Sequence, residues 1–269
     1  MITVVKQDEM TWVAFDNFRK PMIYLDHCAL RHFSSNKESR ERFFSIFQTK
    51  GTLCFSWMNF YDIGGNNTGQ SLKDMKDFTD TVGENWFPIH WNPHKVMENE
   101  KALTHMPFID LSFIQAYYPF IHGSSLTLTQ AIELALCPEV QKMRHKKIQQ
   151  LEDFRRDVNT FINDKRAKDY GKRTFQDVGF DSNCPTVFVH DKLLSLIIKQ
   201  GKVMKDNHDL IDFWHAVVSL SYADMVVLDG EWEDHARQIK IPEGRVKCCS
   251  VKEEGLKKFL EDFEKFDNL

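Results

Sequence analysis

Residues 210–232 read LIDFWHAVVSLSYADMVVLDGEW. The first part is an apolar, helix-like run opened by Asp212. The second, DMVVL, is strand-like and is closed by Asp229, with Gly230 behind it as a turn signal. A helix leading directly into a buried strand is half of a parallel α/β unit. Two explanations suit the acids. Asp is a favoured helix cap and turn residue; alternatively, both carboxylates meet at one edge of a sheet and hold a metal ion.

The flanking sequence repeats the alternation. RVKCCSVKEEGLKKFLEDFEKF predicts a buried strand, with Cys248 and Cys249 as core, and then an amphipathic helix with Leu256, Phe259, Leu260 and Phe263 on one face. Near the other end, PMIYLDHCAL predicts a strand over Met22–Leu25 that finishes at Asp26. SSNKESRERFFSIFQ predicts a helix capped by Ser34 or Ser35, with Glu38 placed for a capping box and Phe43, Phe44 and Phe47 as its apolar stripe. GTLCFSW is the next strand, broken off by Gly51, and MNFYDIGGNNTG carries Asp62 into a Gly/Asn loop. This order predicts an α/β protein with a central, mostly parallel sheet.

The middle reads differently. Prolines 93, 107 and 119 interrupt an aromatic-rich stretch. LTLTQAIELAL and residues 139–173 read as longer helices, and CPTVFVHDKLLSLIIKQGKV as a short strand-like run leading into an apolar helix. The expected organisation is a core of residues 1–69 and 206–269 around a mostly helical insertion, 70–205.

Composition narrows the classes. Hydrophobic residues make up 42% of 269, with 22 Phe and 6 Trp, which supports a sizeable core and excludes wholesale disorder. At net charge -4 the whole molecule does not attract nucleic acid, so such binding needs a local patch. Residues 142–173 hold 11 Lys/Arg against 5 Asp/Glu, and Arg144, Lys146, Lys147, Arg155 and Arg156 are the candidate contacts. The plain alternative is a solvated helix face. Trp86, Trp91, Tyr117 and Tyr118 could stack on bases, core packing being the plainer reading. His90 and His94 suggest a metal pair, but Pro93 breaks helical spacing between them.

Cysteines 28, 54, 137, 184, 248 and 249 form no CxxC pair and no zinc spacing. Lys6, Asp8 and Glu9 interrupt the start before a signal-peptide core can form. No run nears the ~18 apolar residues of a membrane span. The expectation is a cytoplasmic protein that does not insert into membranes.

In an open parallel sheet, ligands bind outside the carboxyl ends of the strands, where helices also begin. Asp26 and Asp229 end strands, Asp212 heads a helix, and Asp62 lies where the second strand gives way to its helix. Four carboxylates at one point repel one another unless a cation intervenes. Oxygen donors without Cys or His favour Mg2+ or Mn2+, which suits phosphoryl chemistry.

On these residues the chain resembles the PIN domain family of metal-dependent nucleases, which implies a fold of three α/β/α layers. MIYLDHCAL stands for its first motif and CFSWMNFYDIG for its second, with Asp62 where the family usually has Glu. DFWHAVVSL matches the third, and MVVLDGEW the fourth, with Trp232 as the aromatic that follows. The likeness covers 22–64 and 206–262, and the 17 residues from Asp212 to Asp229 suit it. It implies Asp26, Asp62, Asp212 and Asp229 as catalytic, metal-holding residues. It further implies Mg2+ or Mn2+ as cofactor and endonucleolytic hydrolysis of RNA such as tRNA or rRNA. A toxin or phage-defence role would follow, with an antitoxin or other regulatory protein, or a second copy in a homodimer, as partner. Val227 stands where the family often has Ser or Thr; with Asp62 it leaves open a degenerate module that binds RNA or protein without cutting. Asn59 or Asp209 could replace a misplaced acid, and His215 is expected to pack beside the site. A haloacid-dehalogenase-like phosphatase would need a second Asp where Cys28 stands.

Overall fold

The computed structural model describes residues 2–7, 10–15, 18–66, 69–113, 125–167 and 179–266; the side chains of 2–15, 61–62, 64–66, 138–148 and 166–167 lie outside the description. Tyr117 and Tyr118 fall outside it as well. Strands β1 (Ile2–Gln7) and β2 (Met10–Phe15) form an antiparallel pair in register from Ile2 with Phe15 to Gln7 with Met10.

The chain then lays down β3 (Met22–Leu25), α1 (His27–Ser35), α2 (Lys37–Phe47), β4 (Thr52–Ser56), α3 (Trp57–Asn66), α4 (Gln70–Val82) and β5 (Trp86–Ile89). Next come α5 (Pro93–Lys101), α6 (Leu128–Ala135), α7 (Pro138–Ala167) and α8 (Pro185–Lys199). It closes with α9 (Asn207–Tyr222), β6 (Met225–Leu228), α10 (Gly230–Gln238), β7 (Lys247–Ser250) and α11 (Glu253–Glu264).

The central sheet has the order β5-β4-β3-β6-β7 and is parallel throughout. Every residue of β4, β5 and β6 is buried, as a sheet covered on both faces requires. Aromatic rings knit each covering layer. On one face Phe43 of α2 meets Phe33 of α1 at 5.1 Å and Phe263 of α11 at 5.8 Å. On the other, Trp214 of α9 meets Trp91 at 5.2 Å and Phe154 of α7 at 5.3 Å, and Phe213 meets Trp232 of α10 at 5.8 Å. The three-layer α/β/α expectation therefore holds.

Several boundaries move. Residues 70–205 contribute more than helices, because β5 pairs with β4 as the outer strand of the central sheet. Ser34 and Ser35 do not cap a helix. Asp26 starts α1 early, so both serines fall in its last turn and donate back to the Arg31 carbonyl, at 3.0 and 2.8 Å. Asn36 caps α2 instead, accepting the Ser39 N–H at 3.0 Å. The strand-like run at 185–189 is the first turn of α8: Pro185 presets its φ, and Phe188, Val189, Leu193 and Ile197 are buried on its inner face. The strand β7 lies at the sheet edge, so only Cys249 of its four residues is buried and Cys248 is half-buried.

Candidate active site at the switch point of the sheet

From β3 the chain steps outward through β4 to β5, then returns to the other side of β3 for β6 and β7. The direction of winding reverses between β3 and β6. That reversal opens a crevice outside their carboxyl ends, where α/β sheets place ligands. Asp26 and Asp229 are the residues that leave these two strands.

Their carboxylates also serve as helix caps. Asp26 Oδ1 accepts the Ala29 N–H of α1 at 2.8 Å, and Asp229 Oδ1 accepts the Trp232 N–H of α10 at 2.9 Å. The Asp26 N–H donates to the Val227 carbonyl at 3.0 Å, the last rung between β3 and β6. Capping and convergence are thus one arrangement: each acid ends a strand, starts a helix and faces the crevice.

The electrostatics show the convergence. Burial pushes the Asp26 carboxyl up from 3.8 to about 7, and the negative charge of Asp229 adds to the rise. Backbone N–H groups of Ala29, Asp229 and Cys28 pull the other way without restoring it. Burial, then the charges of Asp26, Asp212 and Asp229, drive the Cys28 thiol up to about 11. The charges of three acids from three separate elements therefore reach one exposed thiol.

Asp212 reaches this place otherwise than expected. It does not open α9. Asp206 caps that helix by accepting the Asp209 N–H at 3.0 Å, and Asp209 Oδ2 accepts the Lys205 N–H at 2.8 Å. Asp212 stands in the second turn. It is the sole residue from Leu210 to Ser221 that is not buried. A helix packed on all other sides leaves this one acid at an opening. Asp209, the candidate replacement, is spent on the helix start.

Asp62 lies on α3, which begins at the same edge beyond β4, but its side chain is outside the description. Asn59, one turn earlier on α3, is buried. Its Oδ1 accepts from the Ser56 N–H at 2.8 Å and from Ser56 Oγ at 3.0 Å, while Nδ2 has no partner among the described residues. Behind the acids, His215 Nε2 lies 2.7 Å from Ser56 Oγ, and burial pushes its pKa down to about 3. His215 is therefore a neutral packing residue.

Sequence reading missed two histidines. His27 has both ring nitrogens buried without hydrogen bonds among the described residues; burial, then the charges of Arg31 and His208, hold its pKa down at about 4. His208 precedes Asp212 by four residues on α9, a same-face spacing that was legible in the sequence.

The other candidates go elsewhere. His90 Nδ1 lies 3.7 Å from Asp110, and His94 faces His190 with ring centroids 5.3 Å apart. Trp86 and Trp91 are core. Arg155 of α7 donates to the Lys205 carbonyl at 3.1 Å and to Asn207 Oδ1 at 3.2 Å, and so braces the approach to α9. Arg156 pairs with Asp153 at 2.6 Å. The side chains of Arg144, Lys146 and Lys147 lie outside the description.

Among the described residues no three His, Cys, Asp or Glu side chains form a ligating group as placed. The donors at the crevice are carboxylates, and burial, with the charge of Asp229 adding to it, raises the pKa of Asp26. A hard divalent cation fits that chemistry. No helix among the described residues is long and apolar enough to cross a membrane. Comparison with protein-family models, with curated proteins and with solved structures returns no match.

Proposed function

We propose that this chain is a Mg2+- or Mn2+-dependent endoribonuclease of PIN-like type. The observation that carries the reading is the placement of Asp26 and Asp229 at the ends of adjacent strands at the switch point of the sheet, with Asp212 near enough for its charge to act on the same thiol, Cys28. With Asp62 these acids would hold the cation. When bound, it supplies an activated water and offsets charge on the phosphate. The capping bonds of Asp26 and Asp229 fix two of the carboxylates on rigid elements. The N-termini of α1 and α10 turn their positive ends to the same crevice, which favours a phosphate there.

The free thiols suit a reducing, cytoplasmic setting. By resemblance, a toxin or defence effector restrained by a regulatory protein is the biological role, and tRNA or rRNA the substrate. One observation favours the rival reading of a module that binds without cutting: Val227 beside the acids is fully buried and brings no hydroxyl.

The test is incubation of the purified protein with total tRNA and rRNA in Mn2+, Mg2+ or EDTA, alongside Asp26→Asn. Discrete fragments that vanish with EDTA and with the variant are expected. Equal cutting by wild type and variant would remove the assignment. RNA binding without metal dependence or cleavage would select the binding module.

A further inference from the structure

The helix α9 buries His215 among apolar neighbours: Phe213, Trp214, Ala216, Val217 and Val218. An aliphatic side chain would fill that place with no polar atom to satisfy. The imidazole instead bonds to another element. Its Nε2 lies 2.7 Å from Oγ of Ser56, the last residue of β4, whose side chain is fully buried. A neutral ring makes this bond in either tautomer.

Ser56 is itself held in place. Its Oγ accepts the Met58 N–H at 3.2 Å and the Asn59 N–H at 3.4 Å at the start of α3. Asn59 Oδ1 returns a bond to the Ser56 N–H at 2.8 Å. The hydroxyl is thus fixed at the end of an inner strand, and the bond to His215 carries that position across to α9.

The place of this bond bears on Asp212. The His215 ring also lies against Tyr24 of β3, with centroids 5.5 Å apart. From Tyr24 the chain runs two residues to Asp26, roughly 6.6 Å toward the carboxyl edge of the sheet. The helix α9 enters β6 through Ala223 and Asp224, so it runs back against the strands and starts at that same edge. Asp212 precedes His215 by three residues, on the same face of the helix and roughly 4.5 Å nearer the edge. Both steps run in one direction, and they bring the acid of the helix out toward the acid of the strand. The apolar contacts of Phe213 and Trp214 are not directional and do not by themselves fix this register. A buried hydrogen bond between two elements does.

We propose that the Ser56–His215 bond is a positioning device: it sets the height and rotation of α9 on the sheet, and so sets where the Asp212 carboxylate stands for binding a cation with Asp26 and Asp229. Ser56 and His215 act through Asp212 and touch no substrate. This rests on the reading of the acids as a metal-holding centre.

The experiment titrates Mn2+ into the metal-free protein and follows the free ion by electron paramagnetic resonance. It compares wild type with Ser56→Ala, His215→Leu and the double variant. Two controls accompany them. Ser221→Ala removes a buried hydroxyl of α9 that bonds only its own helix, at the Val217 carbonyl. Phe43→Leu loosens the covering layer on the other face of the sheet. Urea unfolding of each protein reports its stability. Mn2+ affinity should fall by roughly tenfold or more in Ser56→Ala and in His215→Leu. The double variant should lose no more than the worse single one, because both remove the same bond. Ser221→Ala and Phe43→Leu should keep wild-type affinity, although Phe43→Leu loses stability. Wild-type affinity in both single variants, or losses that add in full in the double, overturns the proposal. So does affinity that falls in step with stability in the controls, which marks general loosening rather than positioning. Wild type that takes up no Mn2+ removes the metal centre and the proposal together, whereas uptake that is the same in every variant removes the proposal alone.

Discussion

The Asp26 carboxyl should weaken the metal-free protein, and removing its charge should strengthen it. An acid that titrates at 3.8 in the unfolded chain and at about 7 in the fold binds its proton more tightly when folded. Stability therefore falls as pH rises between those values, because the unfolded chain ionises first. The penalty is near zero below the lower value, about 2 kcal/mol at pH 5, and at most about 4 kcal/mol at pH 8. Asp26→Asn keeps the volume and the ability to cap α1 but cannot ionise. In EDTA, urea unfolding should show the variant more stable than wild type, with a gain at pH 8 exceeding that at pH 5 by about 2 kcal/mol. Adding Mn2+ at pH 8 should raise the wild-type midpoint and leave the variant almost unmoved, since the cation supplies the missing counter-charge. A variant less stable than wild type by the same amount at both pH values would refute the argument. It would mean that Asp26 acts as a cap and carries no strained charge.

Phe43 stacks on Phe47 and packs against the tilted rings of Phe33 and Phe263, so Phe43→Ala should cost about 3–5 kcal/mol in denaturant unfolding. A Cβ on Gly255 would strike the backbone oxygen and side chain of Ser250, so Gly255→Ala should shift α11 off β7 and lower stability by about 1–3 kcal/mol; an unchanged melting temperature would contradict this. Glu100 is buried and accepts the Thr186 N–H at 3.1 Å and the Tyr222 hydroxyl at 2.5 Å. It thus caps α8, whose own N-cap residue Cys184 makes no side-chain bond. Glu100→Ala should leave both donors unsatisfied and cost about 2–4 kcal/mol, with hydrogen exchange rising first at the start of α8.

Much of this was legible in the chain because it is local. A parallel strand covered on both faces must be a short apolar run, so MIYL, TLCFS and MVVL announce themselves, and an acid just past such a run can only sit at the strand's carboxyl edge. The amphipathic stripe of α11 follows from the spacing of Leu256, Phe259, Leu260 and Phe263. Local signals failed where neighbours decide. The β-branched run of α8 became a helix because its inner face is buried, and Asn36 took the cap from Ser34 and Ser35 because Asp26 had already started α1. Asp212 lost the head of its helix to Asp206, a contest between two good caps that spacing cannot settle. Strand order belongs to the tertiary structure alone. Nothing in residues 22–26 states that β6 rather than β5 lies beside β3, and that adjacency brings Asp229 against Asp26. The raised pKa of Asp26 and the brace from Arg155 arise from residues far apart in sequence. They exist only when the folded chain removes water from between them.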